Sequence, residues 1–102
     1  MNLTEEDALA IGLKVMSDIN FNYDNNAKID VKYLERGKYH DFNCWLLSFP
    51  YGFEDFDRHI YGNLMIDADT GIVKNDISIR NGSIVIEYNE DKDKYFIIEK
   101  RP

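Results

Sequence analysis

Cysteine is almost missing from this chain. Cys44 is the only one, which excludes a disulfide framework and a thiolate metal cluster. Histidine is scarce as well, and the two present, His40 and His59, do not have the spacing of a zinc site. No apolar run approaches the length of a membrane span. Basic residues are outnumbered, 12 Lys and Arg against 19 Asp and Glu, for a net charge of −7. Nucleic-acid phosphates would repel such a surface. A basic partner would be drawn to it faster, although acidity also serves plain solubility. The opening "MNLTEEDALAIGLK" is acidic where a signal peptide is basic. A cytoplasmic location is therefore expected, and the sequons at Asn2 and Asn81 carry no meaning there. Also missing are a Gly-rich phosphate loop, a nucleophile elbow and an HExxH motif.

What is present suits one small folded domain. The chain has 102 residues, 44% of them hydrophobic and 30% charged, enough for a modest core. Seven Tyr, six Phe and one Trp favour sheets and interfaces.

Residues 3–20 read as an amphipathic helix. Thr4 and Asp7 form a capping-box pattern, and Glu5, Glu6 and Asp7 sit at the positive end of the helix dipole. Ala8, Ile11, Gly12, Val15, Met16 and Ile19 share one face. A glycine inside that face costs about 1 kcal/mol of helix propensity, tolerable if the helix must lie close to a sheet.

The period then changes to two. Ile29, Val31 and Tyr33 alternate with polar residues, as in a half-buried strand. In "YHDFNCWLLSF", Phe42, Cys44 and Leu46 face one way and Trp45, Leu47 and Phe49 the other, so this strand is expected to be central. Pro50 is expected to end it and to release "YGFEDFDRH" as a loop. A third strand spans residues 60–66, and Ile72 and Val73 begin a fourth. Asn81-Gly82 predicts a two-residue hairpin turn that pairs Ile79 with Ile84 and Ile77 with Ile86. "NEDKD" predicts another turn, pairing Tyr88 with Tyr95 and Ile86 with Ile97. The expected fold is a two-layer α+β domain: an N-terminal helix on an antiparallel sheet of five or six strands. The second sheet face is left partly open, as an interaction surface.

Each candidate chemistry has a simpler structural counterpart. Asp67, Asp69 and Gly71 resemble a calcium loop. Counting from Asp67, however, the positions for the third acid, the glycine and the closing glutamate hold Gly71, Ile72 and Ser78. A hairpin turn needs only the positive φ that Gly71 supplies, with Asp67 and Asp69 bonding turn amides. Asp55, Asp57 and His59 read as a solvated loop, and His40 beside Asp41 as structural. Cys44 alternates with Phe42 and Leu46, which suits a packed thiol more than a nucleophile. Trp45 reads as core or, if exposed, as a partner-binding anchor. No catalytic residue, cofactor or metal is expected.

Trp45, Leu47 and Phe49, then Gly62 and Asn63, then Ile66, Asp67, Asp69, Gly71 and Val73 form an ordered pattern. Over residues 43–74 it resembles immunity protein family 35 of bacterial polymorphic toxin systems. Beyond Asp76 the chain reads as strands where that family often ends in a short helix. The resemblance implies a non-enzymatic inhibitor that binds one toxin domain, often a basic nuclease. The partner-binding residues expected are Tyr51, Phe53, Glu54, Asp55, Phe56 and Asp57, with Glu90, Asp91 and Asp93 as a second patch. "DADTG" is also similar to strand ends in PepSY-like and cystatin-like domains, which implies the alternative of a structural or regulatory domain able to form a homodimer.

Overall fold

The computed structural model describes residues 3–37, 41–53 and 59–102, with the backbone alone at Phe53 and His59. Helix α1 spans Glu5–Asp18 and is followed by strands β1 (Asp30–Leu34), β2 (Cys44–Phe53), β3 (His59–Asp67), β4 (Asp76–Ile79), β5 (Gly82–Asn89) and β6 (Lys94–Arg101). They form one six-stranded sheet in the order β1-β2-β3-β4-β5-β6, and every adjacent pair is antiparallel. This is the expected α+β architecture, with β2 internal to the sheet.

The helix starts where its cap dictates. The Thr4 side chain accepts from the Asp7 amide, and the Asp7 carboxylate accepts from the Thr4 amide, so two orphan N–H groups are satisfied. Its buried side is Ala8, Gly12, Val15 and Met16, with Ile19 at the C-cap. That stripe packs on Leu47 and Phe49 of β2, Leu64 and Ile66 of β3, Ile77 of β4 and Ile84 and Ile86 of β5. Gly12 permits the approach. A Cβ there would fall well inside van der Waals contact with Leu47 Cδ2 and 3.2 Å from Phe49 Cζ.

Three expectations need correction. Pro50 does not end β2, which runs on to Phe53 with Pro50 opposite Tyr61. The Asp24 amide donates to the Pro50 carbonyl at 2.7 Å. The proline nitrogen, on the same side of the strand as that carbonyl, therefore points away from β3. It has no ladder bond to lose, which is how a sheet accommodates proline. β4 begins at Asp76 rather than Ile72; Val73 makes only an isolated bridge to Ile66, and Ile72 is exposed.

The third correction concerns register. Ile77 pairs with Ile84 and Ile79 with Gly82, two residues away from the expected pairing. The turn is Arg80-Asn81, and neither residue has a positive φ, so the preference of Asn-Gly for that conformation goes unused. Gly82 serves instead as a strand residue lying so close to the Arg101 carbonyl that no Cβ would fit. Because the shift is two residues, the isoleucines keep their face. At the next turn the expected pairs are found: Tyr88 with Tyr95 and Ile86 with Ile97.

Candidate functional site

Helix α1 covers one face of the sheet, and no described helix or strand crosses the other. On that second face Leu46 and Ser48 of β2, Asn63 and Met65 of β3, and Val85 of β5 are only partly buried. Cys44 and Pro50, at the two ends of the exposed part of β2, are fully buried. The face is therefore apolar at intervals and accessible between them.

This face carries a groove of about 580 Å³ between β3 and the approach to β4, with Phe42, Leu46, Met65 and Ile72 among its apolar lining and Asn63, Lys74 and Asp76 among its polar members. The groove exists because β3 and β4 are not continuously paired. The Lys74 amide donates to the Met65 carbonyl, the next pair is Asn63 with Ser78, and the extra chain at Asn75 turns away so that its carbonyl accepts from the Ile86 amide at 2.7 Å. The Lys74 ammonium sits 3.9 Å from the Phe42 ring centroid, a cation–π contact at the rim. Ser48 donates to the Asn63 side chain at 2.7 Å, fixing that amide in the middle of the face.

The two ends of "YGFEDFDRH", residues 51–53 and His59, are strand rather than loop. β2 and β3 pair out to Phe53 with His59, through a bulge between Pro50 and Gly52. Tyr51 is half-buried: its ring packs edge-on against Phe21 at 5.4 Å, and its hydroxyl accepts from the Arg80 amide at 3.2 Å. Both contacts make it a support of the fold. Glu54, Asp55, Phe56 and Asp57 lie outside the described residues, as do His40 and the side chains of Phe53 and His59.

The second expected patch divides. Glu90 and Asp91 are exposed in the β5–β6 turn. Asp93 is committed to the fold: it has φ 48°, its carboxylate accepts from the Tyr88 hydroxyl, and its carbonyl accepts from Lys14 at 2.7 Å. Lys14 also pairs with Asp18 at 3.0 Å, and Asp18 accepts from the Tyr95 amide at 3.0 Å. This network ties the helix to the β5–β6 hairpin. The bond to the Asp93 carboxylate, with smaller help from burial, pushes the Tyr88 phenol up to about 12. Burial pushes the Asp18 carboxyl up, but the Tyr95 amide and Lys14 outweigh it and hold it below the usual range.

The remaining candidates are structural. The Asp67 carboxylate accepts from the Asp69 and Thr70 amides at 2.9 and 3.0 Å, which lowers its pKa. The Gly71 amide returns to the Asp67 carbonyl, and Gly71 has φ 78°. This is the turn chemistry expected of "DADTG"; Asp69 contributes its amide and leaves its side chain exposed. Burial raises the Cys44 thiol, as for a packed group. Trp45 lies on the helix side of β2, packs edge-on to Tyr33 at 5.1 Å and donates its indole N–H to the Leu3 carbonyl at 3.1 Å. Of the two readings, core is the one observed. Among the described residues no three His, Cys, Asp or Glu side chains converge as metal ligands, and no helix is long and apolar enough to cross a membrane.

Sequence reasoning did not single out the groove. Its lining comes from four separate stretches, and the gap that opens it is a break in pairing that periodicity does not encode.

No family model matches the chain, and neither a curated protein nor a solved structure is found similar to it.

Proposed function

We propose that this chain is a non-enzymatic immunity protein. In the reading that its sequence pattern implies, it neutralises a basic bacterial toxin domain, a nuclease being the expected class, by covering it in the cytoplasm. The observation that carries the proposal is the six-stranded sheet clad by a helix on one face only, with a groove of mixed apolar and polar lining on the other. A face of this kind suits a macromolecular partner. Phe42, Leu46, Met65 and Ile72 supply the contact area. Asp76 at the groove, the acids Glu54, Asp55 and Asp57, and the net charge of −7 steer a cationic partner and favour the correct encounter.

The test is co-expression with any basic toxin domain that sequencing of the source genome finds encoded next to this chain. A one-to-one complex that restores growth supports the reading. A stable homodimer through the open face, with no toxin partner, would support the PepSY-like or cystatin-like alternative and overturn it.

A further inference from the structure

β6 is the edge of the sheet, with β5 on one side of it and no described strand on the other. It is eight residues long, Lys94–Arg101, and four of those residues are Tyr95, Phe96, Ile97 and Ile98. A bare edge this long and apolar is normally blunted, because its unpaired N–H and C=O groups template another strand. Here the blunting is partial. Asp18 of the helix accepts the Tyr95 amide at 3.0 Å, so that N–H points away from β5 and is already satisfied. Strand alternation turns the Ile97 N–H the same way, and a bulge follows between the residues opposite Val85 and Ile86.

Apolar side chains line this edge among charged ones. On the helix side, a groove of about 490 Å³ runs between the helix end and β6, with Ile19, Tyr95, Phe96 and Ile97 as its apolar members and Asp18, Lys92 and Lys94 as charged ones. Phe96 and Ile98 are 40% and 49% exposed. An added strand would find apolar side chains to cover along the middle of β6.

Charge then selects the occupant. Residues 92–101 hold Lys92, Lys94, Lys100 and Arg101 against Asp93 and Glu99, in a chain whose net charge is −7. Both acids are engaged, Asp93 by Tyr88 and Glu99 by Arg101. A second copy of β6 meets like charges in two of its central registers. A twofold centred on Ile97 would set Lys94 opposite Lys100, and one centred on Phe96 would set Asp93 opposite Glu99.

We propose that β6 is a strand-addition site for an extended partner segment with an apolar middle and carboxylates near both ends. The backbone groups from Ile97 onward supply the pairing, and the lysines at each end of the strand set the preference. The site uses neither the open-face groove nor Glu54, Asp55 and Asp57, so it stands or falls independently of the toxin reading.

The experiment is an amide-shift titration of the isotope-labelled chain with two synthetic peptides. Each alternates Val and Thr; one ends in Glu on both sides and its twin in Lys. The Glu peptide is expected to shift and protect β6 amides, with the Lys twin about tenfold weaker. Lys94→Glu with Lys100→Glu, both exposed positions, should reverse that preference. Ile97→Pro should abolish binding of either peptide, and an unchanged β2–β3 amide pattern would show that the fold is kept. Equal binding of the twins, or shifts confined to the helix or the open-face groove, would overturn the proposal. So would concentration-dependent dimerisation through β6 without peptide, which makes a second copy the occupant.

Discussion

Adding a methyl group at Gly12 sets two known effects against each other. In an isolated helix, Gly12→Ala would be favourable by about 1 kcal/mol, because alanine restricts the unfolded backbone and suits the helix. In this fold the new Cβ falls inside contact with Leu47 Cδ2 and 3.2 Å from Phe49 Cζ. Both of those side chains are fully buried, so neither can swing into solvent. Overpacking of a closed core typically costs about 1–3 kcal/mol, so Gly12→Ala should lose about 1 kcal/mol net. Gly12→Leu must place three further carbons in the same space and should lose about 3 kcal/mol. Urea melts followed by Trp45 fluorescence read this directly; a loss of 1 kcal/mol moves the midpoint by roughly 0.5–1 M. Leu47→Val removes the Cδ2 atom at issue. In that background the Gly12→Ala loss should shrink toward zero, an interaction that a double-mutant cycle isolates. A midpoint raised by Gly12→Ala in the unmodified chain would refute the close approach of helix and sheet.

Three further outcomes follow from the bonds described. Tyr88, one of seven tyrosines, has its phenol pushed up to about 12 from 10.0; its stabilising bond is whole below pH 10 and lost as pH rises through about 12. A phenolate absorbance titration should show a late-ionising group that returns toward the ordinary range in Asp93→Ala. Asp67 is lowered by the Thr70 and Asp69 amides, so its contribution is present above the unfolded carboxylate value of about 4 and fades as pH falls below it. Asp67→Ala should therefore be less stable at neutral pH and converge on the parent chain in acid, while calcium should leave the Asp67–Gly71 amide shifts unchanged in both. Trp45→Phe removes the indole bond to the Leu3 carbonyl and should cost about 1 kcal/mol, with faster hydrogen exchange at the N-terminal segment.

The sequence made most of the fold legible through local physics. The capping box at Thr4 and Asp7, the stripe from Ala8 to Ile19 and the turn at residues 90–93 are short-range patterns, and each is found where its chemistry puts it. Failures came where a long-range contact overrides a local preference. Pro50 stays in its strand because its nitrogen faces Asp24 rather than β3. Gly82 follows the turn with φ 157°, and the Arg101 carbonyl, nineteen residues on in the chain, leaves no room for a Cβ. Of the expected binding residues, Tyr51 and Asp93 proved to be held by fold contacts, because density of acids and aromatics does not distinguish a free side chain from one with a partner. Phe42, Leu46, Met65 and Ile72 were visible as apolar residues, but only the interrupted β3–β4 pairing brings them to one groove.

Under the proposed function, the open sheet face, and not the helix-clad one, meets a basic toxin domain. The measurement is amide hydrogen exchange of the chain, free and in complex with a basic toxin domain found encoded next to it. The account predicts new protection on β2, β3 and the approach to β4, around Leu46, Met65 and Ile72, and a slower association when Glu54, Asp55 and Asp57 are replaced by alanine. Protection confined to α1, or no complex with that domain at any salt concentration, would contradict it.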